Sequence, residues 1–150
     1  MILYLDTSSL VKLYVEEAHS EMVREWAAEA EVIATCRVAH PETLSALTRR
    51  HNSGDIAKRE YEKLVGSFVK EWGSYAALDF DEIEAGILVK KYGLRGFDGV
   101  HLAAAKLLAS VGADVHVAFS SFNERLNKAA RSEGFEVLGV GEMTGRTYGG

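Results

Sequence analysis

The chain has 150 residues, of which 47% are hydrophobic, and this is enough for one domain with a substantial core. Its net charge of -5 argues against a protein that holds nucleic acid by bulk electrostatics, so any contact with nucleic acid has to be local. No run approaches ~18 consecutive apolar residues, and no basic stretch followed by a long apolar stretch opens the chain. We therefore predict a cytoplasmic protein without a membrane span or a secretory signal.

The predicted elements of the first half begin with a buried strand. Residues 2–5 are all apolar, as expected of a strand covered on both faces, and Asp6 falls where that strand leaves the sheet. Apolar spacing and turn signals predict the elements that follow: helices over residues 8–17 and 19–30, a strand over 31–36, and helices over 38–51 and 55–72. The apolar stripe of the last of these helices fits either the domain core or a surface for a partner.

Strands and helices alternate in the second half. The predicted elements are a strand over 76–80, a helix over 81–93, a helix over 97–113, a strand over 115–121, a helix over 122–134 and a strand over 135–140. Connections this short leave room only for helical crossovers, so the alternation predicts an α/β fold with a mostly parallel sheet and helices on both faces. We expect one domain over residues 1–140 and a flexible C-terminal tail over 141–150.

Three acids stand out by position. Asp6 ends the first strand, Glu42 lies in the first turn of a helix, and Asp98 begins an Ala-rich helix that must be buried. Ligands of open α/β sheets bind at the carboxyl ends of the strands, which makes Asp6 a candidate site residue. Each acid can also be explained as a helix cap or a partner of the helix dipole, so none of them identifies a function alone.

Taken together, the three acids predict a metal. Carboxylates brought close to one another raise each other's pKa unless a cation lies among them, and all-oxygen ligation suits Mg²⁺ or Mn²⁺. Such ions activate water and offset charge on a phosphoryl transition state, so hydrolysis of phosphodiester bonds is the expected chemistry. The chain has no Cys and His pattern typical of zinc and no signature of a side-chain nucleophile.

Four motifs, in this order over nearly the whole chain, resemble those of PIN-domain ribonucleases of the VapC toxin kind: YLDTSSLVKLY, HPETLSAL, LRGFDGVHLAAA and VAFSSFNERLNKAARSEGFEVL. The resemblance implies a three-layer α/β/α, Rossmann-like PIN domain and an endoribonuclease that depends on Mg²⁺ or Mn²⁺. It also implies a homodimer, a VapB-like antitoxin that blocks the site, and an RNA substrate of the tRNA or rRNA class. By position, Asp6, Glu42 and Asp98 match the family's first three acids and are the predicted catalytic residues and metal ligands.

The chain departs from the family at the fourth acid, where Asn123 stands instead. An amide carbonyl still offers an oxygen to a metal, so Asn123 is predicted to be a metal ligand. We prefer it to the adjacent Glu124, which on a helix points about 100° away. The loss of one negative charge predicts a lower affinity for a divalent ion.

Serines near the acids are predicted to support them. Ser8 is expected to hydrogen-bond Asp6, and Ser120, or its neighbour Ser121, to hydrogen-bond a ligating carboxylate; we assign this second role to Ser120. Helix capping explains these serines equally well.

Three further residues surround the expected cleft. Lys12 and Arg95 flank it and are assigned to phosphates of the substrate, although solvated surface charge explains both as well. His101 lies three residues after Asp98 among Ala and Leu residues, and is predicted to be a satisfied core histidine.

Other functions remain open. A phosphoaspartyl enzyme or receiver domain also carries an acid at a strand end, but phosphatases of that kind need a second acid two residues later, where this chain has Ser8. A PIN scaffold that binds RNA or a protein partner without cleaving is supported by Asn123, and a housekeeping RNA-processing nuclease is a further alternative. Metal binding separates the scaffold from the enzyme.

Overall fold

In the computed structural model, which describes residues 1–139, the apolar run at the start of the chain forms the central strand of the sheet. The helices and strands in chain order are β1 (Ile2–Leu5), α1 (Thr7–Leu10) with a 3-10 turn over Val11–Leu13, α2 (Ser20–Glu29), β2 (Val32–Cys36), α3 (Ala39–Asn52), α4 (Lys58–Glu71) with a 3-10 turn over Trp72–Ser74, β3 (Ala76–Leu78), α5 (Glu82–Tyr92), α6 (Gly96–Ala109), β4 (Val117–Ser120), α7 (Glu124–Ser132) and β5 (Glu136–Val137).

The five strands form one parallel sheet in the order β3-β2-β1-β4-β5. Leu3 of β1 lies in register with Ile33 of β2 and Ala118 of β4, so the first strand is paired on both sides. The predicted α/β class with a parallel central sheet is confirmed.

Side chains of β1 alternate between two helix layers. Leu3 and Leu5 pack into one core cluster with residues of α2, α3 and α4, whereas Tyr4 packs into another with residues of α5, α6 and α7. Successive side chains of a strand point to opposite faces of the sheet, and this alternation gives the predicted three-layer α/β/α architecture.

The chain reverses direction across the sheet at β1. It runs outward through β2 and β3 and then returns to the other side of β1 through β4 and β5. Such a switch point opens a crevice at the carboxyl ends of the two strands, where ligands of α/β proteins bind. Asp6 directly follows β1, and its backbone N–H donates to the carbonyl of Ser120, the last residue of β4, at 3.1 Å. The two strand ends that border the crevice are therefore tied together.

The helix predicted over residues 8–17 is shorter in the structure, because it ends in the 3-10 turn after α1. Beyond that turn, side chains bind the carbonyls that a continuing helix would use. Ser20 donates to the carbonyl of Val15 at 2.7 Å, and Lys12 donates to the carbonyl of Ala18 at 2.9 Å. Tertiary contacts thus override the local helical pattern.

The apolar stripe of α4 is mostly used inside the domain. Phe68 and Ile56 are buried, and Leu64 and Val65 pack against the small cluster that joins α3 to α4. Val69 is 52% exposed. Of the two predicted uses of this stripe, the structure favours burial in the core.

Two predictions concern the end of the chain. The strand expected over residues 135–140 is present as the shorter β5, and residue 140 together with the tail expected over 141–150 falls outside the described residues. Within residues 1–139, no helix is both long and apolar enough to cross a membrane.

Candidate active site

Asp6 is buried at the end of β1, with 3% of its surface exposed. Its Oδ1 accepts hydrogen bonds from the backbone N–H of Ser9 at 3.0 Å and the hydroxyl of Ser8 at 2.7 Å. Its Oδ2 accepts a hydrogen bond from the hydroxyl of Ser121 at 2.6 Å. Asp6 therefore caps α1 and is bound by donors that follow both strand ends, so the structural and functional interpretations of this acid are compatible.

Glu42 lies in the first turn of α3, on the same side of the crevice as α1. Its Oε1 accepts hydrogen bonds from the hydroxyl of Thr7 at 2.6 Å and from Nε2 of His101 at 3.0 Å. Burial raises the pKa of the Glu42 carboxyl, but the hydrogen bonds from His101 and Thr7 outweigh burial and lower the pKa below its ordinary value. Glu42 is therefore kept ionised in a half-buried position.

His101 connects this carboxylate to the core. The ring is 2% exposed, and its Nδ1 lies 2.8 Å from the hydroxyl of the fully buried Tyr4. A carboxylate only accepts hydrogen bonds, so Nε2 carries the proton towards Glu42 and Nδ1 accepts from Tyr4. Burial raises the pKa of the Tyr4 phenol well above its usual range, which keeps the hydroxyl a donor.

The contact of His101 with the site was not predicted from the sequence. The prediction of a satisfied core histidine was correct about burial, but the partner that satisfies Nε2 is the acid Glu42. The only signal in the sequence was the three-residue spacing from Asp98, which places both side chains on neighbouring faces of α6.

Asp98 lies in the first turn of α6 and is half-buried. Burial raises the pKa of the Asp98 carboxyl, and the nearby Asp6 carboxylate raises it further, against the opposing effects of His101 and Arg95. Two carboxylates from distant parts of the sequence thus share one region of negative potential. A cation would relieve this repulsion.

Asn123 caps α7 and also contacts Asp98. Its carbonyl oxygen accepts from the backbone N–H of Leu126 at 3.1 Å, while its amide nitrogen lies 3.3 Å from Oδ2 of Asp98. The amide nitrogen, a donor, therefore faces the acid, whereas the predicted metal ligand was the carbonyl oxygen of the same side chain. Glu124 lines a separate hollow between α5 and α7, beside Lys128.

The assignment of Ser120 to a site carboxylate is wrong. The Ser120 hydroxyl lies 2.8 Å from the hydroxyl of Ser9, and the neighbouring Ser121 is the residue that reaches Asp6. Adjacent side chains at the end of a strand point in opposite directions, so only one of these serines can face the crevice. Ser8 contacts Asp6 as expected and also accepts a hydrogen bond from the backbone N–H of Phe122.

The ammonium group of Lys12 is paired inside the domain. Lys12 is 8% exposed, and its ammonium group donates to the carboxylate of Glu17 and the carbonyl of Ala18, each at 2.9 Å. The same group lies 4.5 Å from the centre of the Phe122 ring. These contacts hold the segment between α1 and α2 in place and neutralise the Lys12 charge. Lys12 also lines the larger hollow, so its predicted role towards the substrate stays a prediction.

Arg95 has the opposite environment. It is exposed at the start of α6, and within the part of the chain that the structure describes its side chain forms no hydrogen bond or salt bridge. Its guanidinium group lowers the pKa of Asp98, which places a free positive charge beside the acids.

Two hollows adjoin the acids. The smaller, of about 580 Å³, is lined by Glu42, Asp98 and Asn123 together with the start of α6. The larger, of about 940 Å³, extends from Glu42 along α3. Asp6 lies beneath this surface and is connected to it through Ser121, whose hydroxyl also accepts from the backbone N–H of Asn123 at 3.0 Å.

The chemistry of these donors fits a hard divalent ion. The three predicted acids offer only oxygen ligands, and no hydrogen bond from residues 1–139 reaches Oε2 of Glu42 or Oδ1 of Asp98. Across the same residues, no group of three or more His, Cys, Asp or Glu side chains is arranged to hold a metal ion. Among residues 1–139 the predicted ligands therefore form no ready-made metal cage. Their oxygen chemistry is what suits Mg²⁺, which binds through one or two carboxylates together with several waters and substrate phosphates.

A family model described as PIN domain matches residues 3–132. The chain belongs to the PIN domain family. The match includes the ends of β1 and β4 as well as the helices α3 and α6 that carry Glu42 and Asp98. The family predicted from the four sequence motifs is thus confirmed.

Curated relatives of this PIN domain include two proteins of Mycobacterium tuberculosis. Ribonuclease VapC45 is 27% identical over 139 residues, which cover 91% of this chain and 94% of the relative. Ribonuclease VapC46 is 28% identical over 143 residues, which cover 91% of this chain and 95% of the relative.

Solved structures share the fold of this PIN domain. The crystal structure of PAE2754 from Pyrobaculum aerophilum has 17% sequence identity and a TM-score of 0.63, with 97% of this chain and 94% of that chain covered. The crystal structure of FitAcB from Neisseria gonorrhoeae has 16% identity and a TM-score of 0.59, with 93% of this chain and 97% of that chain covered.

Proposed function

We propose that this PIN domain is an endoribonuclease that depends on Mg²⁺ or Mn²⁺ and is the toxin of a VapBC-type toxin-antitoxin system. Relatives named Ribonuclease VapC cover almost the whole chain and support the class of reaction. The observation that carries the proposal is the placement of two acids at the switch point of a PIN-domain sheet: Asp6 binds Ser121, Asn123 contacts both Ser121 and Asp98, and the Asp6 carboxylate raises the pKa of Asp98.

Each residue of the candidate site has a separate role in this proposal. Asp6, Glu42 and Asp98 would hold the ion, with Asn123 orienting Asp98 through its amide. When bound, the ion supplies Lewis-acid stabilisation of negative charge on the phosphate. His101 keeps Glu42 ionised and fixed in direction, so its carboxylate is ready to ligate without losing a proton first.

Arg95 would hold a phosphate of the RNA next to the scissile bond. Its free guanidinium group and its position beside Asp98 support this role, since a planar guanidinium binds phosphate oxygens in pairs. The family resemblance further leads us to propose an RNA of the tRNA or rRNA class as substrate, a VapB-like antitoxin as partner, a homodimer and a cytoplasmic location.

The proposal is tested with Asp98→Asn, which keeps the size of the side chain and removes the charge. Cleavage of total tRNA and rRNA is measured with Mg²⁺ or Mn²⁺ added, and with EDTA as the negative control. The expected result is loss of cleavage with an unchanged circular dichroism spectrum. Asp114→Asn is the matched control, because Asp114 is exposed and lines neither hollow. Full activity of Asp98→Asn would contradict the proposal.

A PIN scaffold that binds without cleaving is the second candidate. Two observations favour it: the amide of Asn123 donates to Asp98, and no ready-made group of three metal-binding side chains exists among residues 1–139. Titration of the wild-type protein with Mn²⁺ decides between the two, since a scaffold does not need to bind the ion. A growth arrest on expression that is relieved by the product of a neighbouring gene would separate a toxin from a housekeeping nuclease.

A further inference from the structure

Phe97 is exposed where a soluble protein would normally bury an aromatic ring. Its surface is 58% exposed, and every other Phe, Tyr and Trp among residues 1–139 is buried or half-buried. The ring takes part in no aromatic contact with the described residues and belongs to none of the core clusters. It therefore contributes little to the stability of the domain and is available to a ligand.

The position of Phe97 joins the two hollows beside the acids. Of residues 1–139, only Phe97 and Glu42 line both hollows, so a ligand that passes from one to the other crosses the ring at the level of the acid. Phe97 is also the residue directly before Asp98 in the first turn of α6. If a phosphate of a nucleic acid is bound beside Asp98, the base of the adjoining nucleotide can contact the Phe97 ring.

Free positive charges lie at both ends of this path. Arg95 lines the smaller hollow and Arg49 lines the larger one, and neither forms a hydrogen bond or salt bridge with any of residues 1–139. The neighbouring Arg50 differs, because it is paired with Glu17. The chain has a net charge of -5, so two guanidinium groups, one on each side of an exposed ring, provide the local positive charge that a phosphate backbone requires.

We infer that the groove formed by the two hollows binds single-stranded RNA, with one base stacked on Phe97 and flanking phosphates held by Arg49 and Arg95. This inference rests on the proposed ribonuclease function and adds its mode of substrate binding. A single strand is required because a base stacks on a protein ring only when it has left the helical stack.

The test uses fluorescence anisotropy with a labelled, unstructured RNA of roughly 12 nucleotides, within the usual length of single-strand sites. EDTA prevents cleavage, so binding is measured apart from catalysis. Phe97→Ala is expected to weaken binding by about 5- to 150-fold, as for the loss of one stacked base, and Phe97→Trp is expected to retain it. Ile83→Ala is the matched control, since Ile83 is 69% exposed and lines neither hollow.

The arginines are tested through the salt dependence of the same binding. Arg49→Gln and Arg95→Gln should each reduce the slope of log K against log salt by about 0.7, the contribution of one phosphate contact to a single strand. Lys63→Gln, which removes an exposed charge of α4 outside both hollows, should leave the slope unchanged.

Three results would overturn the inference. Equal affinity of Phe97→Ala and wild type for RNA would leave the nuclease function standing and remove the stacked base. If Phe97→Ala has a lower molar mass than wild type by light scattering but the same affinity for RNA, Phe97 belongs to an interface between two copies of the chain. Equal weakening by Phe97→Ala and Ile83→Ala would show a general effect of surface hydrophobicity. If the wild type neither binds nor cleaves RNA, the proposed function itself fails.

Discussion

The Nε2 atom of His101 lies 3.0 Å from Oε1 of Glu42, so a histidine of α6 holds an acid of α3 across the crevice. The phenol of Tyr4, from the central strand, fixes the other ring nitrogen at 2.8 Å. Three elements of the fold thus determine the direction of one carboxylate. Residues that hydrogen-bond a metal-ligating side chain orient it and raise the affinity of the site for the ion.

Replacing His101 should therefore weaken metal binding. We expect His101→Ala to lower the affinity for Mn²⁺, measured by electron paramagnetic resonance, by about 10- to 100-fold, and His101→Gln to retain more because its amide can still donate to Glu42. His116→Ala serves as control, since His116 is exposed and pairs with Glu136 on the outer strand. Unchanged Mn²⁺ affinity together with a lower free energy of unfolding would mean that His101 only fills the core.

Asn123→Asp is expected to strengthen metal binding. Aspartate caps a helix as well as asparagine does, so α7 should be preserved, while a fourth carboxylate is added next to Asp98. We expect affinity for Mn²⁺ to rise roughly tenfold, in line with the decade-scale effect of ligand charge in oxygen sites.

The same variant should be less stable than wild type without a metal. The hydrogen bond between the amide of Asn123 and Asp98 is lost, and two carboxylates repel in its place. Thermal unfolding in EDTA and in Mn²⁺ measures both effects, with Asn52→Asp as a control for the added charge. Equal Mn²⁺ affinity of Asn123→Asp and wild type would place residue 123 away from the ion.

Gly99 of α6 lies in tight contact with α5. A Cβ atom at this position would lie 2.4 Å from Cγ2 of Val89 and 2.9 Å from the backbone oxygen of Ala85. The backbone contact cannot be relieved by a side-chain rotation, so Gly99→Ala should separate the two helices and lower the free energy of unfolding by about 1 to 3 kcal/mol.

The control for this effect is on the partner helix. A Cβ atom on Gly86 meets no atom within 4 Å, so Gly86→Ala should stabilise the protein by about 0.5 to 1 kcal/mol through helix propensity. Urea denaturation measures both variants. Equal stability of Gly99→Ala and Gly86→Ala would show that the two helices are not in tight contact.

Glu133 should make stability depend on pH. The Glu133 carboxyl has its pKa lowered to about 2, chiefly by hydrogen bonds from Lys106 and Tyr92. Burial opposes this effect, and a further hydrogen bond from Lys91 adds to it. A pKa that is lower in the folded state than in the unfolded state stabilises the protein above the unfolded value of 4.5, and this stabilisation is lost as the pH falls towards 2.

Glu133→Gln should therefore lower Tm most at neutral pH. Because the lysine partners are partly exposed, we expect an effect of about 1 kcal/mol, or roughly 2 to 4 °C, that diminishes as the pH falls below 4.5. Glu62→Gln removes an exposed pair with Lys58 and should change Tm little at any pH. A difference between Glu133→Gln and wild type that stays constant with pH would contradict this assignment.

Much of the fold follows from local patterns in the sequence. The apolar run before Asp6, the alternation of elements and the glycine that ends α5 are properties of neighbouring residues, and they predicted a parallel α/β sheet with its helices in the right order. The first helix was predicted too long because the carbonyls of Val15 and Ala18 are bound by side chains that reach them only after folding.

The details of the candidate site depend on contacts between residues far apart in the chain. The choice of Ser121 over Ser120, the burial of Lys12 against Glu17 and the direction of the Asn123 amide each depend on which group lies opposite in space. His101 was noticed for its spacing, but its partner Glu42 is 59 residues away.

The sequence by itself determined the family, the order of the elements and the acidic residues available to a metal. Periodicity and motifs depend only on residues that are close together in the sequence. Only the tertiary structure decided which donor faces which acceptor and that, within residues 1–139, Lys12 and Arg50 are paired whereas Arg49 and Arg95 are not. Hydrogen bonds and desolvation act over a few ångströms in space, and a one-residue shift at the end of a strand reverses the face that a side chain presents.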